Sequence, residues 1–72
     1  MSFKYLHVKV IYNPNDGYYN IHDEITGHLI GFCNLLDGPG WVYSPTTLAS
    51  LMAMEVCSIG ELLIELNSML EE

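Results

Sequence analysis

Hydrophobic and polar positions alternate along the first half of the chain. Between residues 3 and 12, Leu6, Val8 and Val10 fall on one face of an extended segment and Tyr5, His7 and Lys9 on the other. That period of two, rich in β-branched and aromatic residues, predicts a half-buried strand. Asn13-Pro14-Asn15-Asp16-Gly17 then gathers five turn formers, with Pro14 fixing φ and Gly17 free to take the positive φ that closes a hairpin. A second strand follows over 18–23, where Tyr19 and Ile21 alternate with Asn20 and His22. Thr26-Gly27 marks the next turn, and 28–35 reads as a third strand. Gly31 inside it predicts a bulge, or a large ring lying against bare backbone. After the break at Asp37-Gly38-Pro39-Gly40, Trp41-Val42-Tyr43 fits a short fourth strand or an extended cover for the sheet.

The period then changes from 2 to 3.6. Ser44-Pro45 resembles an N-cap with proline in the first turn, and Leu48, Leu51 and Met52 have helical spacing. A short helix is expected over 45–54, ending where Glu55 would fall on its apolar face. Ser58-Ile59-Gly60-Glu61 has the form of a capping box. A C-terminal helix is expected over 59–71, with Ile59, Leu62, Leu63, Leu66 and Leu70 on one face and Glu61, Glu65 and Glu72 opposite. Ile64 is the aliphatic exception on the polar side. The expected architecture is α+β: a three- or four-stranded antiparallel meander with a short helix and a C-terminal amphipathic helix packed on one face, in one domain.

Charge narrows the range of functions. Two lysines, Lys4 and Lys9, and no arginine stand against nine acidic residues, for a net charge of −7 over 72 residues. A phosphate-backbone binder needs clustered cations, so direct nucleic-acid binding is not expected. Half the residues are hydrophobic, which excludes a disordered acidic tail. No apolar run approaches the ~18 residues of a membrane helix. Met1 to Tyr12 shows neither the apolar core nor the cleavage site of a secretory leader. The chain is therefore expected in the cytoplasm, with Cys33 and Cys57 as buried free thiols.

Candidate chemistry is sparse. His22, Asp23, Glu24, His28 and Cys33 are close in sequence but match no zinc-ligand spacing. Neither cysteine is accompanied by a nucleophile elbow, and there is no glycine-rich phosphate cradle. No metal, no cofactor and no enzymatic activity are expected. The aromatic residues say more. Tyr19, Trp41 and Tyr43 are expected to build the core, leaving Tyr5 and Tyr18 on the outer sheet face with His7 and His22. Tyrosine is a common anchor of protein interfaces. Glu61, Glu65, Glu71 and Glu72 would add a row of carboxylates able to steer a basic partner.

The stretch Gly17-Tyr18-Tyr19-Asn20-Ile21-His22-Asp23, followed by Thr26-Gly27-His28-Leu29-Ile30-Gly31 and then Trp41, resembles the layout of small acidic phage and prophage accessory proteins, anti-CRISPR inhibitors among them. In those proteins a βββ meander of this kind precedes one amphipathic helix; the helix expected over 45–54 departs from that plan. The resemblance implies a non-enzymatic protein that binds and blocks a host protein in the host cytoplasm. The expected function is a protein-binding module, inhibitor or adaptor, that covers a basic protein surface with Tyr5, Tyr18, His22, Glu61, Ile64, Glu65, Glu71 and Glu72. The other reading is a structural or regulatory homo-oligomer joined through Ile64 or the strand edges.

Overall fold

The computed structural model describes residues 4–46 and 51–70. Five strands, β1 (Lys4–Tyr5), β2 (Val8–Asn13), β3 (Tyr18–Asp23), β4 (Leu29–Leu36) and β5 (Gly40–Pro45), precede one helix, α1 (Ala53–Leu70). The strands form an antiparallel meander in the order β1-β2-β3-β4-β5. The protein is thus α+β, with the helix packed on one face of the sheet.

Three features of the chain's path and its ties differ from the sequence expectation. The first strand is broken in two by a reversal at Leu6-His7, which makes Tyr5 the partner of Val8 and Lys4 the partner of Lys9. His7 has φ 67°, the left-handed region that a type II turn demands at its second central residue. Because paired residues share a face, Tyr5 turns to the helix side with Val8, and not outward as expected. Leu6 is left exposed at the turn.

The second difference lies at the start of α1. No separate short helix over 45–54 occurs among the described residues: Pro45 ends β5, Leu51 and Met52 are not helical, and residues 47–50 lie outside the description. A single helix instead begins at Ala53, and Glu55 does not end it. The Glu55 carboxylate accepts a hydrogen bond from the Met52 N–H at 2.9 Å, the reach-back half of a capping box.

The third difference concerns Ser58. It lies buried inside α1, where its hydroxyl donates to the Leu6 carbonyl at 2.6 Å. The hydroxyl ties the helix to the β1–β2 turn and caps nothing.

The core lies between sheet and helix. Val8, Ile21, Ile30 and Cys33 meet Ile59, Leu62 and Leu66, with Tyr5, Val10, Tyr19, Trp41, Tyr43, Leu51 and Leu63 packed around them. Cys33 is buried as expected, and burial pushes its thiol up to about 11. Cys57, expected to be buried, is exposed on the outer side of α1. Leu70, expected on the apolar face, is also exposed.

Gly31 carries out both of its expected roles. The β3–β4 register shifts between Ile21 and His22, and the extra residue, Ile30, is buried in the core. The Tyr43 ring lies directly over Gly31, and its hydroxyl donates to the Ile30 carbonyl at 2.6 Å.

The helix also closes one edge of the sheet. Asn67 accepts from the Trp41 N–H at 2.8 Å and donates to the Trp41 carbonyl at 3.1 Å, a two-point clamp on β5. Gly40, at φ 85°, leaves the room for it, since a Cβ there would meet Asn67. Asn67→Ala strands both Trp41 groups, and a loss of about 1–3 kcal/mol is expected. For a domain of this size each kcal/mol moves the thermal midpoint by roughly 4–8 °C. A melt of the Asn67→Ala variant within a degree of the parent would show that solvent replaces the clamp without cost.

Candidate protein-binding surfaces

The sequence-predicted contact residues divide among separate surfaces. The first is the outer flank of α1. Its inward stripe, Glu55, Ser58, Ile59, Leu62 and Leu66, follows the helical period and is buried, so Ile64, two residues from both Leu62 and Leu66, faces away from the sheet. Ile64 stands there with 70% of its surface exposed. Glu61 precedes it by three residues, and Glu65 adjoins it toward the sheet. Both carboxylates are exposed.

Tyr5 joins this group because of the reversal at Leu6-His7. Its hydroxyl donates to the Glu65 carboxylate. Burial, that hydrogen bond and the charges of Glu65 and Glu61 push the Tyr5 phenol far above its ordinary value, so it remains a neutral donor. The flank thus combines an exposed aliphatic, two carboxylates and a tyrosine held in place by one of them. Glu71 and Glu72, expected to extend the acidic row, lie outside the described residues.

Tyr18 and His22 belong to the opposite side of the molecule. The registers place Lys9, Ile11, Tyr18, Asn20, His22, Leu29, Phe32, Asn34, Leu36, Val42 and Ser44 on the sheet face away from α1. Tyr18 packs edge-on against Phe32, with ring centroids 5.2 Å apart. The His22 ring nitrogen Nδ1 lies 3.2 Å from the Gly27 carbonyl, within hydrogen-bond distance. Ile11, Leu29 and Leu36 are exposed, whereas Phe32 and Val42 are half-buried. An antiparallel sheet with one solvated face ordinarily turns polar residues outward. This one does not.

Sequence reasoning missed a third grouping. Glu55 is only 1% exposed. Beyond the Met52 N–H held by its Oε1, its Oε2 finds no ordinary donor, but the Asp23 carboxylate lies within hydrogen-bonding reach. Two acceptors meet this way when one holds a proton. Burial first, then Asp23, raises the Glu55 carboxyl above its ordinary value, against the opposing pull of the Met52 N–H and His7. Asp23 is held below the usual carboxylate range by the Thr26 N–H, by Glu55 and by the Ile25 N–H, with its Oδ1 3.0 Å from Thr26 N and 2.8 Å from Ile25 N. Of the two carboxyls, Glu55 is the one that keeps its proton more readily. The sequence signal was present in the placement of Glu55 on the apolar side of the helix, which also made it look like a stop.

This pair is structural in its placement, since a carboxyl so enclosed meets no substrate in this conformation. Among the described residues, no three His, Cys, Asp or Glu side chains converge to hold a metal ion. No helix among them is long and apolar enough to cross a membrane. No protein-family model, curated protein or solved structure matches the chain.

Proposed function

We propose that this protein is a non-catalytic, cytoplasmic protein-binding module that covers a basic surface on another protein with the acidic flank of α1. The observation that carries the reading is the grouping of Ile64, Glu61, Glu65 and Tyr5. Ile64 supplies an exposed apolar anchor beside two carboxylates, and Glu65 fixes the tyrosine that borders it. Apolar and aromatic anchors hold the desolvated centre of an interface, while flanking charges steer the encounter. The resemblance to small acidic phage accessory proteins supports the same role, an inhibitor or adaptor acting on a host protein.

The test begins with co-purification from the native host and measures association and dissociation rates against the partner recovered. Glu61→Gln with Glu65→Gln is expected to slow association and flatten its dependence on salt, because steering acts within a Debye length of ~8 Å. Ile64→Ala is expected chiefly to speed dissociation. Rates insensitive to all three substitutions, or tight salt-sensitive binding of the isolated protein to DNA or RNA, would overturn the proposal.

A further inference from the structure

The ties that hold α1 to the sheet differ in what they require. Toward its C-terminal end the helix is fixed by Leu62 and Leu66 in the core and by the hydrogen bonds between Asn67 and Trp41. None of these groups titrates. Nearer the start, Ser58 donates to the Leu6 carbonyl at 2.6 Å, again without an ionisable partner. Only the first turn depends on charge. There Glu55 meets Asp23 at the end of β3, with His7 of the β1–β2 turn and Tyr43 of β5 close enough to act on it or be acted on.

The geometry of this junction makes one proton decisive. Glu55 is buried, and its Oε1 accepts from the Met52 N–H at 2.9 Å while its Oε2 has no donor. The neighbours supply none. Asp23, ionised, can only accept, and its Oδ1 is held by the Ile25 and Thr26 N–H groups at 2.8 and 3.0 Å. The Tyr43 hydroxyl is committed to the Ile30 carbonyl at 2.6 Å. The His7 ring favours an ionised Glu55 but gives its Oε2 no hydrogen bond. An ionised Glu55 in this position therefore keeps one oxygen unpaired and faces a second negative charge. With a proton on Oε2 it is a donor to Asp23 instead.

We propose that the start of α1 is a proton-gated latch. With Glu55 neutral, the first turn is closed on the end of β3. With Glu55 ionised, the turn lifts away about Ser58 while the remainder of α1 stays docked. Lifting gives the carboxylate the water it lacks when closed and separates it from Asp23.

Little else holds the turn down. Met52, Ala53, Met54 and Val56 are exposed, and of the apolar residues between 51 and 57 only Leu51 packs against the core. Segments with so few buried contacts are those that open locally. The sheet side of the junction keeps its own bonds: the Glu24 N–H donates to the His7 carbonyl at 3.0 Å and the Gly27 N–H to the Asp23 carbonyl at 2.8 Å. Opening thus frees Leu51 and presents it with Met52 and Met54, an apolar turn that acid withdraws.

Amide hydrogen exchange of the full chain by NMR, between about pH 4.5 and 8 and referred to the intrinsic rate at each pH, reads the latch. The reporters are the Met52 N–H, held by Glu55, and the Val56 N–H, which donates to the Met52 carbonyl at 3.1 Å. Their opening should grow by up to about tenfold per pH unit above the ordinary carboxyl value of 4.5 and level off past the folded value. At every pH they should be at least about tenfold less protected than Leu62 and Leu66 and nearly indifferent to low urea, which marks a local opening. Glu55→Gln should abolish the rise, since its amide donates to Asp23 at any pH. Asp23→Asn should abolish it too, because the new amide donates to Oε2 while its oxygen still accepts from Ile25 and Thr26. His7→Asn, which keeps a side chain tolerant of φ 67°, should retain it. Reporters that open equally at all pH, or that match Leu62 and Leu66 in protection and urea dependence, would overturn the proposal. So would a rise lost in His7→Asn but kept in Glu55→Gln.

Discussion

Gly31→Ala is expected to destabilise the protein by about 2–4 kcal/mol, out of roughly 4–11 kcal/mol for a chain of this length. A Cβ built on Gly31 would lie 2.6 Å from both Cζ and Oη of Tyr43. Those atoms belong to a rigid ring rather than to the tip of a flexible chain. The ring must therefore lift, which opens the packing above Cys33 and breaks the hydrogen bond from Tyr43 to the Ile30 carbonyl. Overpacking of this kind costs about 1–3 kcal/mol, and the stranded carbonyl adds about 1 more. The sign reverses in a second background. With Tyr43→Ala in place the three atoms nearest that Cβ are gone, and alanine is a better strand residue than glycine by roughly 0.5–1 kcal/mol. Gly31→Ala is then expected to be neutral or mildly stabilising. Urea titrations of the four species close the double-mutant cycle; equal costs in both backgrounds would mean that the ring does not set the requirement for glycine.

The strands that were legible in the sequence are those whose ends carry specific turn chemistry. Asn13 to Gly17 and Thr26-Gly27 bracket β3, and the Asp37 to Gly40 break precedes β5, so the periods between them could be read directly. The reversal at Leu6-His7 has no glycine, proline, asparagine or aspartate to announce it. There the alternation of Leu6, Val8 and Val10 passes for one long strand, although histidine takes the positive φ. That single turn moves Tyr5 from the outer face to the helix side and brings it to Glu65.

The start of α1 was misread for a related reason. Ser58 and Glu61 match the capping pattern, yet the helix gains more by beginning earlier. Starting at Ala53 lets Glu55 cap Met52 and share a proton with Asp23, and lets Ser58 reach Leu6. Asp23 and Leu6 are tertiary partners that no local window contains. Of the candidate contacts, Glu61, Ile64 and Glu65 were legible because helical periodicity alone groups them. The apolar outer sheet face was legible in principle: Ile11, Phe32 and Val42 sit on the parity opposite to the core residues of their own strands. Reading each strand as one-sided hid it.

Glu55 gives the protein an unusual dependence on pH. Its carboxyl is raised from an ordinary 4.5 in the folded state, so the fold holds a proton that the unfolded chain releases. Stability from this group is fully present below about pH 4.5 and declines as pH rises toward the folded value, at up to ~1.4 kcal/mol per pH unit. Asp23 acts oppositely. Its folded value is lowered from 3.8, so its contribution is present above that pH and is lost in stronger acid. Glu55 thus favours the fold more at acidic than at neutral pH, and Asp23 limits that gain in stronger acid. Glu55→Gln separates the two effects. The amide oxygen still accepts the Met52 N–H, and the amide nitrogen donates permanently to Asp23 without a proton to lose. Thermal or urea midpoints of this variant should therefore be flat between pH 5 and 8, match the parent near pH 4.5 and exceed it increasingly above. Glu55→Ala removes both bonds and leaves a cavity, so a loss of about 2–4 kcal/mol at pH 5 is expected instead. Coincident curves for the parent and Glu55→Gln from pH 5 to 8 would mean that Glu55 ionises in place at no cost. The shared proton would then have no part in holding the first turn of α1 to the end of β3.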